Sequence, residues 1–214
     1  MKEVLFKLDL IAPVIGLLAA IFYFVIRKNP YSPSDRIVAL FLSTELILNT
    51  LAASFQQYEK SNLWIYHLNC VVVHILFSWY FLKLLLRQRI VAVGFIVFSL
   101  SVIILELKIQ TFDSFPSYIY SISSFIVALY ALCFLNQIID TLPAYHILSV
   151  KEFWVIAGVL TYFGSSFFIF ISYSYLSFVS PKKVFVLWQF HNIFLFFGCI
   201  VFIKAFNCTK WILK

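Results

Sequence analysis

Charge is the scarcest commodity in this chain. Only 12% of its 214 residues are Asp, Glu, Lys or Arg, where soluble globular proteins carry roughly 25%. Glycine (5), proline (6) and cysteine (4) are sparse as well. So few glycines exclude a collagen-like chain, and so few cysteines exclude a disulfide-built scaffold. Disorder fails for the opposite reason. Hydrophobic residues make up 63% of the chain and 26 residues are Phe, whereas disordered chains are poor in apolar side chains. A mean hydropathy of +0.98 means more apolar surface than a water-soluble domain of this size buries. The class that remains is an all-α polytopic membrane protein.

About 20 mostly apolar residues cross a bilayer as a helix. Seven segments qualify: residues 8–26, 37–55, 63–86, 90–107, 118–139, 153–176 and 184–206. Breaker chemistry separates them: Arg27 to Arg36 with Pro30 and Pro33, Phe112 to Ser117 with Pro116, Leu142-Pro143, and Ser180-Pro181-Lys182-Lys183. No connection approaches the roughly 50 residues of a folded domain. Residues 1–214 therefore read as one seven-helix domain with short loops, and function has to sit in the helices, the loops or a partner. The first segment is long and aromatic and runs into Arg27-Lys28, so it reads as a retained helix rather than a signal peptide. Pro13 lies inside it and frees a backbone carbonyl. That predicts a kink or a neighbour that satisfies the carbonyl.

The net charge of +7 comes from 16 Lys and Arg against 9 Asp and Glu. The basic residues sit beside spans, which points to membrane topology rather than nucleic acid. One side receives Arg27, Lys28, Arg36, Lys83, Arg87, Arg89, Lys151, Lys204, Lys210 and Lys214; the other receives Lys2, Lys7, Lys60, Lys108, Lys182 and Lys183. The richer side is expected to be cytoplasmic, with the N-terminus outside and the C-terminus inside. Trp211 and its basic neighbours are expected to lie at the inner interface. Lys204 is too close to the end of its span for a retinal-type Schiff base.

Small residues let helices approach closely in lipid. Such stripes run along Ser117, Ser121, Ser124, Ala128 and Ala131, along Gly158, Thr161, Ser165 and Ser172, and along Asp9, Pro13, Gly16 and Ala20. They predict close contacts for the first, fifth and sixth spans. Cys70, Cys133, Cys199 and Cys208 form no C-x-x-C pair and read as small apolar side chains.

Polar groups at membrane depth are expensive and mark candidate sites. Glu45 and Asn49 share a face of the second span, one turn apart. An ionised carboxylate there needs a partner. His67, Cys70, His74 and Ser78 share a face of the third span. The two histidines are roughly 10 Å apart along the axis, which suits a hydrogen-bond network or proton relay better than one metal ion. Gln189, His191 and Asn192 form a polar belt in the last span, and at most two of them face one cavity. Asp9, Glu106 and Lys108 read as interfacial. With the orientation above, Asn49, His67, Gln189, His191 and Asn192 fall in the outer half, and Glu45 and His74 near the midplane. The expectation is a polar cavity open outward, with Glu45 and His74 at its floor.

No catalytic constellation is apparent. Zinc chemistry needs about three convergent ligands, and Glu45, His74 and His191 lie on separate spans without an H-E-x-x-H motif. Haem held between His74 and His191 and an intramembrane metal enzyme are the weaker alternatives. There is no Gly-rich phosphate loop and no groove-reading element for nucleic acid. No cofactor and no metal is expected.

Several short patterns carry a family resemblance across nearly the whole chain. They are Thr44-Glu45-Leu46-Ile47, Leu63-Trp64-Ile65-Tyr66, Glu152-Phe153-Trp154 and Leu187-Trp188-Gln189-Phe190-His191-Asn192-Ile193. In these the chain resembles a family of small, uncharacterised seven-span inner-membrane proteins of Bacteroidota. The resemblance implies the seven-span fold and the inner membrane, and no activity.

The expected function is a non-enzymatic, sensor-like or accessory membrane module that binds a partner protein or a small ligand from the outer face. A proton- or cation-coupled transporter using Glu45 and His74 is the alternative. The orientation is directly testable. An activity reporter fused at the C-terminus is expected to be active only in the cytoplasm, and activity on the outer face would reverse the topology.

Overall fold

The computed structural model describes residues 8–28, 31–108, 113–141 and 147–210. Among them the fold is all-α, with seven helices long and apolar enough to cross a membrane. We number them α1 (Leu8–Ile21, continued by a π-turn at Phe22–Ile26), α2 (Pro33–Gln57), α3 (Leu63–Leu84), α4 (Gln88–Lys108) and α5 (Ser117–Thr141). α6 spans Lys151–Val179 with a π-turn at Leu160–Gly164, and α7 spans Pro181–Asn207. Lys2, Lys7, the Leu142-Pro143 joint and Trp211 lie outside the described residues, as do the side chains of Lys182 and Lys183.

Several helices are longer than their apolar runs. α2 begins at Pro33 rather than residue 37, because Ser32 and Asp35 form a reciprocal capping box and proline suits the first helical turn. What reads in sequence as a polar turn is therefore helix. α3 stops at Leu84, earlier than its apolar run, as the chain turns extended at Leu85.

α1, α2, α3, α5, α6 and α7 close a ring in that order, and α4 packs outside it against α3 and α5. α4 is accordingly the most exposed helix, with Val93, Ile96, Leu100, Ile103 and Ile104 facing outward. Such apolar exposure suits lipid contact. The small residues work as contacts. Ser117 Oγ meets Ser174 Oγ at 2.5 Å and Ser121 donates to the Phe167 carbonyl, joining α5 to α6. A Cβ on Gly158 would lie 2.4 Å from the Phe202 ring, so α6 and α7 touch there only because the residue is glycine. Gly16 meets Leu42 of α2 in the same manner.

We call the end holding Leu8 the N-face and the opposite end the C-face. Halfway down, Phe41, Phe77, Phe163 and Phe202 interlock with ring centroids 4.9–6.1 Å apart. Below this layer, at the C-face, sits a buried ionic cluster that links distant segments. Lys151 Nζ holds Asp35 Oδ2 at 2.5 Å, with both side chains fully buried. The same carboxylate oxygen accepts from the Ser32 amide and hydroxyl at 2.8 Å. Ser34 donates to Glu152 at 3.3 Å and accepts from Tyr80 Oη at 3.1 Å. The Lys151 amide then donates to the Lys210 carbonyl. Lys151, counted above among topology-setting charges, is thus committed to an internal pair.

Removing one member of such a pair exposes the other's desolvation cost. Asp35→Asn is expected to cost about 3–5 kcal/mol, read as a lower melting temperature in detergent. Asp35→Leu combined with Lys151→Met should recover most of that loss. A single variant as stable as the wild type would show that the pair does not hold the bundle.

Candidate functional site

Above the aromatic layer the ring interior turns polar, and the cause starts with Pro13. A proline has no N–H, so the Asp9 carbonyl four residues back loses its helical donor. Asn49 Nδ2 of α2 supplies a replacement at 3.4 Å. The same amide nitrogen donates to Glu45 Oε2 at 3.2 Å. Asn69 Nδ2 of α3 reaches both Glu45 oxygens at 3.3 and 3.4 Å. Glu45 is buried and held by amides from two helices. Asn69 Oδ1 is buried with no hydrogen-bond partner among the described residues.

α7 brings His191 and Asn192 to the same chamber, together with Asp9, Tyr66, Tyr120, Tyr162 and Trp188. His191 is fixed by Tyr162 Oη at 3.4 Å and Ser166 Oγ at 3.3 Å. Tyr162 lies within the π-turn of α6 and Ser166 just after it. Thr161 and Ser165 hydroxyls bond back to carbonyls of their own helix, at 2.8 and 2.6 Å. Hydroxyl back-bonding of this kind bends helices, and π-turns recur at functional sites. No Lys or Arg lines the chamber among the described residues, while two carboxylate residues do.

The free space here is small. Two voids that share Glu45, Tyr120, Tyr162 and Phe170 measure about 10 Å³ each, roughly the room of one water. Toward the N-face the chamber is capped by Tyr66, Phe115 and Trp188, whose ring centroids lie 5.4–5.6 Å apart in edge-to-face pairs. On the far side of this lid is an open vestibule of about 450 Å³, bordered by Gln56, Asn62, Tyr173 and Phe185.

The predicted site residues divide. Glu45, Asn49, His191 and Asn192 meet in the chamber. Gln189 is half-buried and is not part of its lining. His67 points elsewhere: Nδ1 pairs with the Glu106 carboxylate of α4, and Nε2 meets the Ser114 carbonyl at 2.9 Å. Glu106, expected at the interface, is thus paired with a side chain inside the protein. His74 is not at the chamber floor. Its ring stacks on Phe98 of α4 at 3.7 Å and Nδ1 meets Ser123 Oγ of α5 at 2.9 Å. The outlying α4 explains both departures, because it covers the α3 face that carries the two histidines. Asp9, read as interfacial, lines the chamber. Sequence reasoning passed over Asn69 and Tyr162. An amide at membrane depth was a usable signal for Asn69, and the Thr161–Ser165 run was one for the π-turn.

Among the described residues no group of His, Cys, Asp and Glu side chains is set to hold a metal ion. Comparison with known proteins finds no matching family, no matching curated protein and no matching solved structure.

If Asn49 serves the carbonyl that Pro13 orphans, the two positions are coupled. Asn49→Ala is expected to cost about 1 kcal/mol more beside Pro13 than in a Pro13→Ala background, where the helical N–H returns. Strict additivity in a double-mutant cycle on thermal stability would break that link.

Proposed function

We propose that this protein is a non-enzymatic, sensor-like module of the inner membrane, with its N-terminus outside, that receives a small cation in the Glu45 chamber. An ammonium-type ligand fits best. The observation that carries this reading is the unsatisfied Asn69 Oδ1 beside the Glu45 carboxylate: two acceptors that call for a cationic donor. The surrounding Tyr66, Trp188 and Tyr120 rings present π-faces of the kind that attract such cations. The vestibule supplies an approach from the N-face. The present arrangement is a closed one, so binding requires the Tyr66–Trp188 contact between α3 and α7 to part. Movement there is what an associated membrane protein would read.

Two features favour sensing over transport. The phenylalanine layer closes the path below the chamber. The line Glu45–Ser123–His74, which supports a proton-relay reading because Ser123 borders the lower void, ends against Phe95 and Phe98 rather than at either face.

The test is thermal stability in mild detergent at constant ionic strength, with ammonium, methylammonium or sodium chloride replacing N-methylglucamine chloride. A ligand at about 100 times its Kd adds roughly 2.7 kcal/mol. Wild-type protein and the His67→Gln variant are expected to gain stability with at least one small cation, and Glu45→Gln to gain none. No response in wild type, or an equal response in Glu45→Gln, would sink the reading.

A further inference from the structure

We propose that the cleft between the C-face ends of α2 and α3 binds the phosphate headgroup of an anionic phospholipid. The cleft has a volume of about 330 Å³ and is lined by Tyr31, Ser32, Arg36, Trp79, Tyr80 and Lys83, among others. Its two cations, Arg36 and Lys83, are exposed, and among the described residues neither pairs with a carboxylate. The nearest acid in sequence, Asp35, is turned inward and held by Lys151. The cleft therefore keeps a net positive charge that no carboxylate among the described residues neutralises.

The aromatic residues set its depth. Lys83 Nζ lies 3.9 Å from the centre of the Trp79 ring, so the ammonium is held on an indole that itself belongs at headgroup level. The guanidinium of Arg36 suits bidentate contact with a phosphate, and Lys83 adds a point charge.

What lies one turn deeper separates a lipid from a free anion. Leu40 follows Arg36 by four residues on α2, and Ile75 precedes Trp79 by four on α3. Both are exposed, at 40% and 47%. On each helix the polar lip of the cleft thus runs directly into an outward-facing apolar surface. A headgroup in the cleft would have acyl chains against Leu40 and Ile75; inorganic phosphate would use only the lip. Basic pockets between spanning helices are a recurrent form of such recognition. This inference is independent of the Glu45 chamber, which lies on the other side of the phenylalanine layer.

The experiment is native mass spectrometry of the full chain released from neutral detergent. Phosphatidylglycerol and phosphatidylcholine of identical acyl chains compete at equal concentration. Wild type is expected to retain phosphatidylglycerol about tenfold or more over phosphatidylcholine. Arg36→Gln with Lys83→Gln should bring that ratio near one. Arg36→Lys with Lys83→Arg, and Arg87→Gln on the same face but outside the cleft, should keep it. Equal retention of both lipids by wild type would overturn the proposal, as would a preference that survives the double Gln variant. Displacement of the phosphatidylglycerol by an equal concentration of inorganic phosphate would show a free-anion site instead.

Discussion

These helices are long and apolar enough to cross a membrane, and lipid offers no hydrogen bonds, so a polar side chain at membrane depth has to find its partner inside the bundle. That constraint arranges the whole interior. Polar groups collect in two separate layers, and each layer ties together helices far apart in sequence. Near the C-face, Asp35 and Lys151 draw α2 to α6, and Tyr80 adds α3 through Ser34. Nearer the N-face, Asn49 and Asn69 gather α1, α2 and α3 around Glu45. The interlocked phenylalanines fill the space between.

The two layers differ in charge balance. Asp35 Oδ2 receives an ammonium, an amide and a hydroxyl, a set that neutralises and orients it. Glu45 receives only amide N–H groups, which are neutral. Among the described residues, no Lys or Arg lines the chamber to balance a charge on Glu45, and the adjoining Asn69 carbonyl has no donor. The Asp35–Lys151 cluster serves as a brace: its charges are paired, although Asp35 Oδ1 is buried with no hydrogen-bond partner among the described residues. The Glu45 cluster instead lies beneath a lid of three rings with a vestibule beyond it, and it is there that we propose a cation is received. The positive cleft at the C-face follows from the brace itself, since Asp35, turned inward, no longer balances Arg36.

Some of this was legible in the chain and some was not. Hydropathy runs marked the helices because a bilayer demands length and apolarity from each span separately. Glu45, Asn49 and Asn192 were legible as candidates because a polar side chain at membrane depth is conspicuous on its own. Asp35 and Lys151 were not. Each sits beside loop residues and looks like an ordinary interfacial charge, and their pairing exists only across 116 positions. His67 and His74 were conspicuous but assigned to the wrong neighbourhood. Their partners, Glu106 and Ser123, come from helices whose position no local pattern announces.

What the amino-acid order determined by itself was therefore local: seven helices, the breaks between them, the orphaned carbonyl before Pro13 and a short roster of buried polar groups. Each follows from the properties of one segment in lipid. Tertiary structure decided which of those groups meet. It excluded α4 from the ring, turned His67 and His74 toward it, and brought Asp9, Asn69 and Tyr162 to Glu45. The physical reason is that a polar group's cost in lipid is set by its own chemistry, whereas the partner that offsets the cost is set by helix packing.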